Sequence, residues 1–402
     1  MGASVNEKKG VLTMKNKIVS LALVLMMLVG LSGKVFAKEA GEALLVSQTI
    51  GSQDIMNTSV SLSDGQAQVI FDKLKDRILN EYGEAYSLTN FKGEFNNERT
   101  EAGTVLIDVN IYTDMTLTRH PSDSSFVKGM FEALSQVESV SEKQFIDNKI
   151  DEYVKEVETL YYNKADASVF TYAIELKVNK LLDKQEPNLA VDYDLYYRTD
   201  AEEVVLEPVT TERKAEDSLE AEKNGMEYVS RLQSSLPKNT IQAGFYDRIA
   251  ARDYAIAHAT DTPEFSASNG QGSDCANFVS KALNAGGIPI DRSGGWYPSS
   301  NGTTSTCGIN WMRTGYYNNG GVVPYMTGKN YFYRETALNT IFAGSIMYWT
   351  NTSHVALVTY GDGSVIKYSQ HSNVKLSTSS AVNVVYKSES AYFYKPQSSI
   401  MK

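Results

Sequence analysis

The chain reads as an α+β protein built in two parts, and three observations predict this. Apolar residues recur at helical spacing in some stretches and alternate at strand spacing in others. The three or four strand runs of the first half are grouped with helices around them, the pattern of a small α+β unit. Acidic residues are concentrated before residue 225, whereas from Ile241 onward the chain is close to neutral and rich in Gly, Ser, Asn and Tyr, which marks a boundary. At 402 residues and 42% hydrophobic content, the chain can bury at least one full core and has the length for two.

Residues 1–37 have the layout of an export signal rather than of folded structure. Lys15 and Lys17 precede an apolar run from Ile18 to Leu31, and a small residue at −1, Ala37, with Val35 at −3 suits cleavage after Ala37. The run is shorter than the roughly 20 residues a membrane span requires, so no span is expected after cleavage. The mature protein is then secreted or associated with the cell wall. Residues 38–210 follow as an α+β accessory domain. Ser63-Asp64-Gly65 opens a helix carrying Val69, Ile70, Leu74, Ile78 and Leu79. A long strand runs from Gly103 to Tyr112 and on toward Leu117, and a helical stretch from Ser124 to Leu160 is broken near Val140-Ser141. Ser168 to Val178 and Leu189 to Tyr197 are further strands, and Val204-Val205-Leu206 is a short edge. By analogy of fold alone the domain resembles the cystatin-like or nuclear-transport-factor-like (NTF2-like) folds, which says nothing about function. Residues 211–240 form a charged helical connector ending near Pro237.

The candidate chemistry lies in residues 241–402. Gly270-Gln271-Gly272-Ser273 runs into Asp274-Cys275, where Phe278, Val279, Ala282 and Leu283 begin a helical pattern at once. Cys275 is thus expected on the first turn of a helix, where the dipole favours a thiolate. Asp274 is placed to cap that helix. Of the four histidines, His120 precedes a proline in a turn and His258 ends a helix, a placement that suits a cation. His354 opens the strand run His354 to Tyr360, Gly361-Asp362-Gly363 turns, and Val365 to His371 returns, so folding about Asp362 brings His354 opposite a residue near Gln370. A nucleophilic thiol needs an imidazole base, and the base needs a polar partner to fix its tautomer. Cys275, His354 and one of His371, Gln370 or Asn373 meet that requirement.

Asp274-Cys275-Ala276-Asn277-Phe278-Val279-Ser280, with Ala285-Gly286-Gly287-Ile288-Pro289, resembles the putative amidase domain family of bacterial exported proteins. The Tyr246 to Ala255 helix, Trp311, Gly344 to Trp349 and His354-Val355-Ala356 resemble it too, so the likeness covers residues 243–385. That family is similar in layout to the CHAP and NlpC-type cell-wall hydrolases. The resemblance implies a papain-like fold, Cys275 as nucleophile, His354 as general base, and His371 as third member with Asn373 as the alternative. One departure is Ser345, where such families usually carry Asp. An oxyanion would be held by the Cys275 N–H with Gln271 as a second donor, Asp274 would support the site, and Trp296 and Trp311 would line a substrate groove.

The reading is therefore a secreted cysteine amidase acting on peptide amides, with peptidoglycan peptides as the substrate that the resemblance implies. The same triad would serve an exported protein endopeptidase or transamidase, and a wall-binding protein without catalysis is the reading from another class. The net charge of −10, with no basic patch, excludes a phosphate-backbone binder, so no nucleic-acid partner is expected. The absence of HExxH, of Cys-x-x-Cys and of a phosphate-binding glycine fingerprint leaves no cofactor or metal to expect. The two cysteines differ so much in their surroundings that a disulfide is not expected.

Overall fold

Strand pairing, more than helix packing, organises this chain. The computed structural model describes residues 54–101, 103–177, 193–198, 203–206, 208–234, 244–265, 274–315, 320–371, 381–387 and 390–402. Residues 1–37, expected to be an export signal, Gln271, Asn373 and the first part of the Leu189 to Tyr197 run lie outside these residues. Within the compact unit Gly51–Lys402 the architecture is α+β, with one large mixed sheet.

The N-terminal half supplies β1 (Ile55–Asn57), α1 (Asp64–Tyr82), β2 (Tyr86–Glu101), β3 (Thr104–Leu117), α2 (Ser125–Ser135), α3 (Val140–Leu160), β4 (Ala165–Lys177), β5 (Tyr193–Arg198) and β6 (Glu203–Val205). Helix α1 begins where the sequence places it. The Ser63 hydroxyl accepts from the Gln66 N–H and the Gln66 side chain accepts from the Ser63 N–H, a reciprocal cap of about 1 kcal/mol. Its apolar stripe buries Ile70, Leu74 and Ile78, leaving Leu79 exposed. The break in the next helical stretch falls at 136–139, where Ser139 caps α3. Strand β2 is not evident in the sequence, because Ser87 to Glu101 is mostly polar. It forms because β3 offers a full antiparallel partner, from Tyr86↔Leu117 to Glu101↔Thr104.

Helix α4 (Thr211–Ser234) then leads to α5 (Arg248–His258), α6 (Cys275–Ala285), α7 (Ile309–Met312), α8 (Val322–Gly328), β7 (Phe332–Glu335), β8 (Ile346–Trp349), β9 (His354–Gly361), β10 (Ile366–Ser369), β11 (Val384–Val385) and β12 (Ala391–Pro396). The sheet order is β1-β2-β3-β4-β11-β10-β9-β8-β12-β7, with β5 and β6 branching from β4. Strand β4 pairs with β5 over Tyr172–Leu176 and meets β11 in parallel at Val169↔Val384, so the strands of both halves form one sheet. Polar side chains reinforce that junction. Lys367 Nζ, 2.6 Å from Asp166 Oδ2, lies over the Tyr360 ring, and Asp362 accepts from the Tyr86 and Tyr360 hydroxyls at 2.6 and 2.9 Å.

Helices α5 and α6 cover the C-terminal end of the sheet. Their core contains Tyr246, Ala251, Ala255, Phe278, Val279, Ala282 and Leu283 against Ile346, Val355 and Leu357 of the strands. Every residue of β8, β9 and β10 is buried, as expected of central strands covered on both faces. No helix among the described residues is long and apolar enough to cross a membrane.

Candidate active site

Three local structures position the predicted residues. Cys275 is the first residue of α6, and its thiol is buried. The first bond of that helix runs from the Phe278 N–H to the Asp274 carbonyl, so the positive dipole end lies at Cys275. His354 is the first residue of β9, onto which α6 packs, and its ring lies 5.1 Å from that of Trp349. Strand β10 returns antiparallel to β9, with Ser369 opposite Leu357 after an irregularity at Lys367/Tyr368.

Gln370 directly follows β10 and lies diagonal to His354. Its long side chain crosses that gap, placing Oε1 2.7 Å from His354 Nε2. An amide oxygen only accepts, so Nε2 carries the proton and the other nitrogen, Nδ1, is the basic one. His354 and Gln370 are 7% and 5% exposed, so the bond is shielded from bulk water.

The expectation that His371 orients His354 is corrected. His371 Nδ1 instead lies 2.6 Å from Asp274 Oδ2, and Nε2 lies 2.8 Å from the His258 carbonyl. Successive residues of an extended chain point to opposite sides, so only one of Gln370 and His371 can face His354. The pair still joins the two halves of the site, since Gln370 touches His354 while His371 touches the residue before Cys275.

Capping by Asp274 is corrected as well, since its side chain makes no cap bond to α6. Oδ1 accepts from the Phe265 N–H at 3.0 Å and from Asn277 Nδ2 at 2.8 Å, while Oδ2 meets His371. Asn277, which the sequence reading did not single out, also donates to Glu264 at 3.0 Å and accepts from Trp311 Nε1 at 2.7 Å. The signal that could have found it is the Asp-Cys-Ala-Asn spacing, which puts Asp274 and Asn277 on one face of the first turn.

Trp296 and Trp311 do not line a groove. They are 0% and 1% exposed and their rings pack together at 4.7 Å, because two indoles bury more apolar area in the core than a polar cleft allows. Gln271 and Asn373 lie outside the described residues. Ser345 is fully buried, and its hydroxyl has no hydrogen-bond partner among the described residues.

Both cysteines are free thiols. Burial, with the Glu264 charge adding to it, pushes the Cys307 thiol up to about 11, the opposite of what a nucleophile needs. Among the described residues no group of three or more His, Cys, Asp or Glu side chains could hold a metal ion.

No curated protein and no solved structure matches the chain. Residues 245–394, which carry Cys275, His354, Gln370 and His371, match the family model described as Putative amidase domain.

Proposed function

We propose that the C-terminal part of this chain is a cysteine-dependent amide hydrolase of papain-like layout, with Cys275 as nucleophile, His354 as base and Gln370 as its orienting partner. The observation that carries the reading is the 2.7 Å contact between His354 Nε2 and Gln370 Oε1, which sets the imidazole tautomer on a strand that packs against the Cys275 helix. The match of residues 245–394 to an amidase-type family supports amide hydrolysis as the reaction class.

In the proposed cycle His354 Nδ1 takes the thiol proton and Cys275 Sγ attacks an amide carbonyl. The developing oxyanion sits at the N-terminus of α6, where backbone N–H groups and the helix dipole favour negative charge. His354 then gives its proton to the leaving amine as the C–N bond breaks, leaving a thioester. Water, activated by the same imidazole, releases the acid and restores the thiol. Gln370 keeps Nε2–H bonded throughout, so the ring does not turn away while its charge changes.

The peptide bridges of peptidoglycan are the proposed substrate, and the segment 1–37 is proposed to export the enzyme to them. Digesting purified peptidoglycan with the native chain and a Cys275→Ala variant tests this. New amine and carboxyl ends are expected with the native chain alone. Equal digestion by both would refute the cysteine mechanism, and activity on protein amides but not on peptidoglycan would refute the substrate.

A further inference from the structure

The His371–Asp274 contact is left unused by this mechanism, and its geometry constrains its charge. The His258 carbonyl, 2.8 Å from Nε2, can only accept, so Nε2 carries a proton. Nδ1 faces Asp274 Oδ2 at 2.6 Å. The other oxygen of that carboxylate already accepts two N–H groups, from Phe265 at 3.0 Å and Asn277 at 2.8 Å, an arrangement that favours the ionised form. With an ionised carboxylate at Nδ1 and a carbonyl at Nε2, both ring nitrogens must donate. The ring also stacks on Phe278, centroids 4.4 Å apart, a position that suits a cation over an aromatic face.

The surrounding ionisable groups have their own partners. Glu264 is held by Lys281 at 2.6 Å, and His258 Nδ1 lies 2.6 Å from Asp261 Oδ2. Tyr254, whose ring packs 4.2 Å from that of His258, is neutral, burial raising its phenol further above neutral pH. His354 is committed to Gln370. His371 and Asp274 therefore form a separate buried pair, 7% and 3% exposed, one residue from Cys275.

We propose that His371 is a positioning residue held as the imidazolium, and that it neutralises Asp274 so that the Cys275 thiolate does not form beside an uncompensated carboxylate. The role of the thiolate rests on the amidase reading, whereas the charge of the ring does not. Asp274 is the residue directly before Cys275 at the helix start, and a neighbouring negative charge disfavours a second one, so without His371 the carboxylate would suppress the thiolate by roughly tenfold or more.

Two measurements on the full chain test the proposal. In protein labelled with nitrogen-15 histidine, the signals of His371, identified by their loss in a His371→Phe variant, are expected to show both ring nitrogens protonated at neutral pH. A neutral tautomer at neutral pH would overturn the proposal. The rate of Cys275 alkylation by iodoacetamide, read by mass spectrometry, is expected to fall about tenfold or more in His371→Phe and to recover to within about threefold in His371→Phe/Asp274→Asn. Equal rates in the native, single and double variants would overturn it, as would a double variant no faster than the single one. Should His371→Phe fail to fold, the signals of the native protein, assigned through the conservative His371→Gln, still decide the charge. Failure of the amidase reading appears separately, as a native Cys275 that alkylates no faster than Cys307.

Discussion

Replacing Gln370 with Ala removes the acceptor that holds His354 Nε2–H at 2.7 Å. Both residues are buried, so water does not simply take its place, and losing one partner of a buried hydrogen bond costs about 1–3 kcal/mol. If that loss is felt in the transition state, kcat/KM falls roughly 5- to 150-fold. The upper end is favoured, because in the proposed cycle His354 becomes cationic on taking the thiol proton and a bond to a charged donor is the stronger kind. The loss should fall on kcat, since Gln370 contacts the proposed base, His354. Gln370→Glu keeps an acceptor at the same reach and should recover activity to within about tenfold of native. The assay is release of amine ends from peptidoglycan, with thermal melts run on each variant. A Gln370→Ala protein that melts like the native chain and keeps kcat/KM within about twofold would refute the orienting role.

Two further predictions concern ionisation. With its thiol pushed up to about 11, Cys307 should stay unmodified by iodoacetamide near neutral pH while Cys275 reacts, and Cys307→Ser should keep full activity. Modification of Cys307 first would contradict the contrast between the two sites. Burial, opposed by the Glu335 charge, holds the Lys395 amine down from 10.5 to about 8. Between those values the unfolded chain binds a proton that the folded chain does not, so stability should rise with pH across the window, by roughly 3 kcal/mol at most. Below about 8 both states are protonated and the cost of burying the charge is fully present. Urea midpoints measured across this range should rise for the native chain and lose that rise in Lys395→Met; parallel curves would contradict the assignment.

Much of the site was legible because its chemistry is local in sequence. The glycine-rich loop before Cys275 and the apolar period after it announce a helix start, and the Gly361-Asp362-Gly363 turn brings the far end of β10 back to His354. Selecting among Gln370, His371 and Asn373 was beyond the sequence, since it depends on which way consecutive side chains point once β10 is in register. That register includes an irregularity at Lys367/Tyr368 which no turn rule predicts. Trp296 and Trp311 show the same limit from the other side: aromatic content marks burial energy but does not say whether the partner is a ligand or another indole. Strand β2 escaped notice because its stability comes from the β3 ladder rather than from its own composition.

The parallel contact of β11 with β4 at Val169↔Val384 has a consequence for inheritance. The segment that matches the amidase-type family ends its sheet at β11, whose outer edge is occupied by a strand from the other half of the chain. Lys367, 1% exposed at its side chain, takes its counter-ion Asp166 from that same strand. Cut at the family boundary, the C-terminal segment would carry an open strand edge and a buried amine without a counter-charge. Any lineage that recombined these halves freely would have had to repair both features at once. Recognition by family and independence in folding therefore have different borders in this chain, and substitutions in β4 reach the family-matched segment through the Val169↔Val384 pairing and the Asp166–Lys367 ion pair.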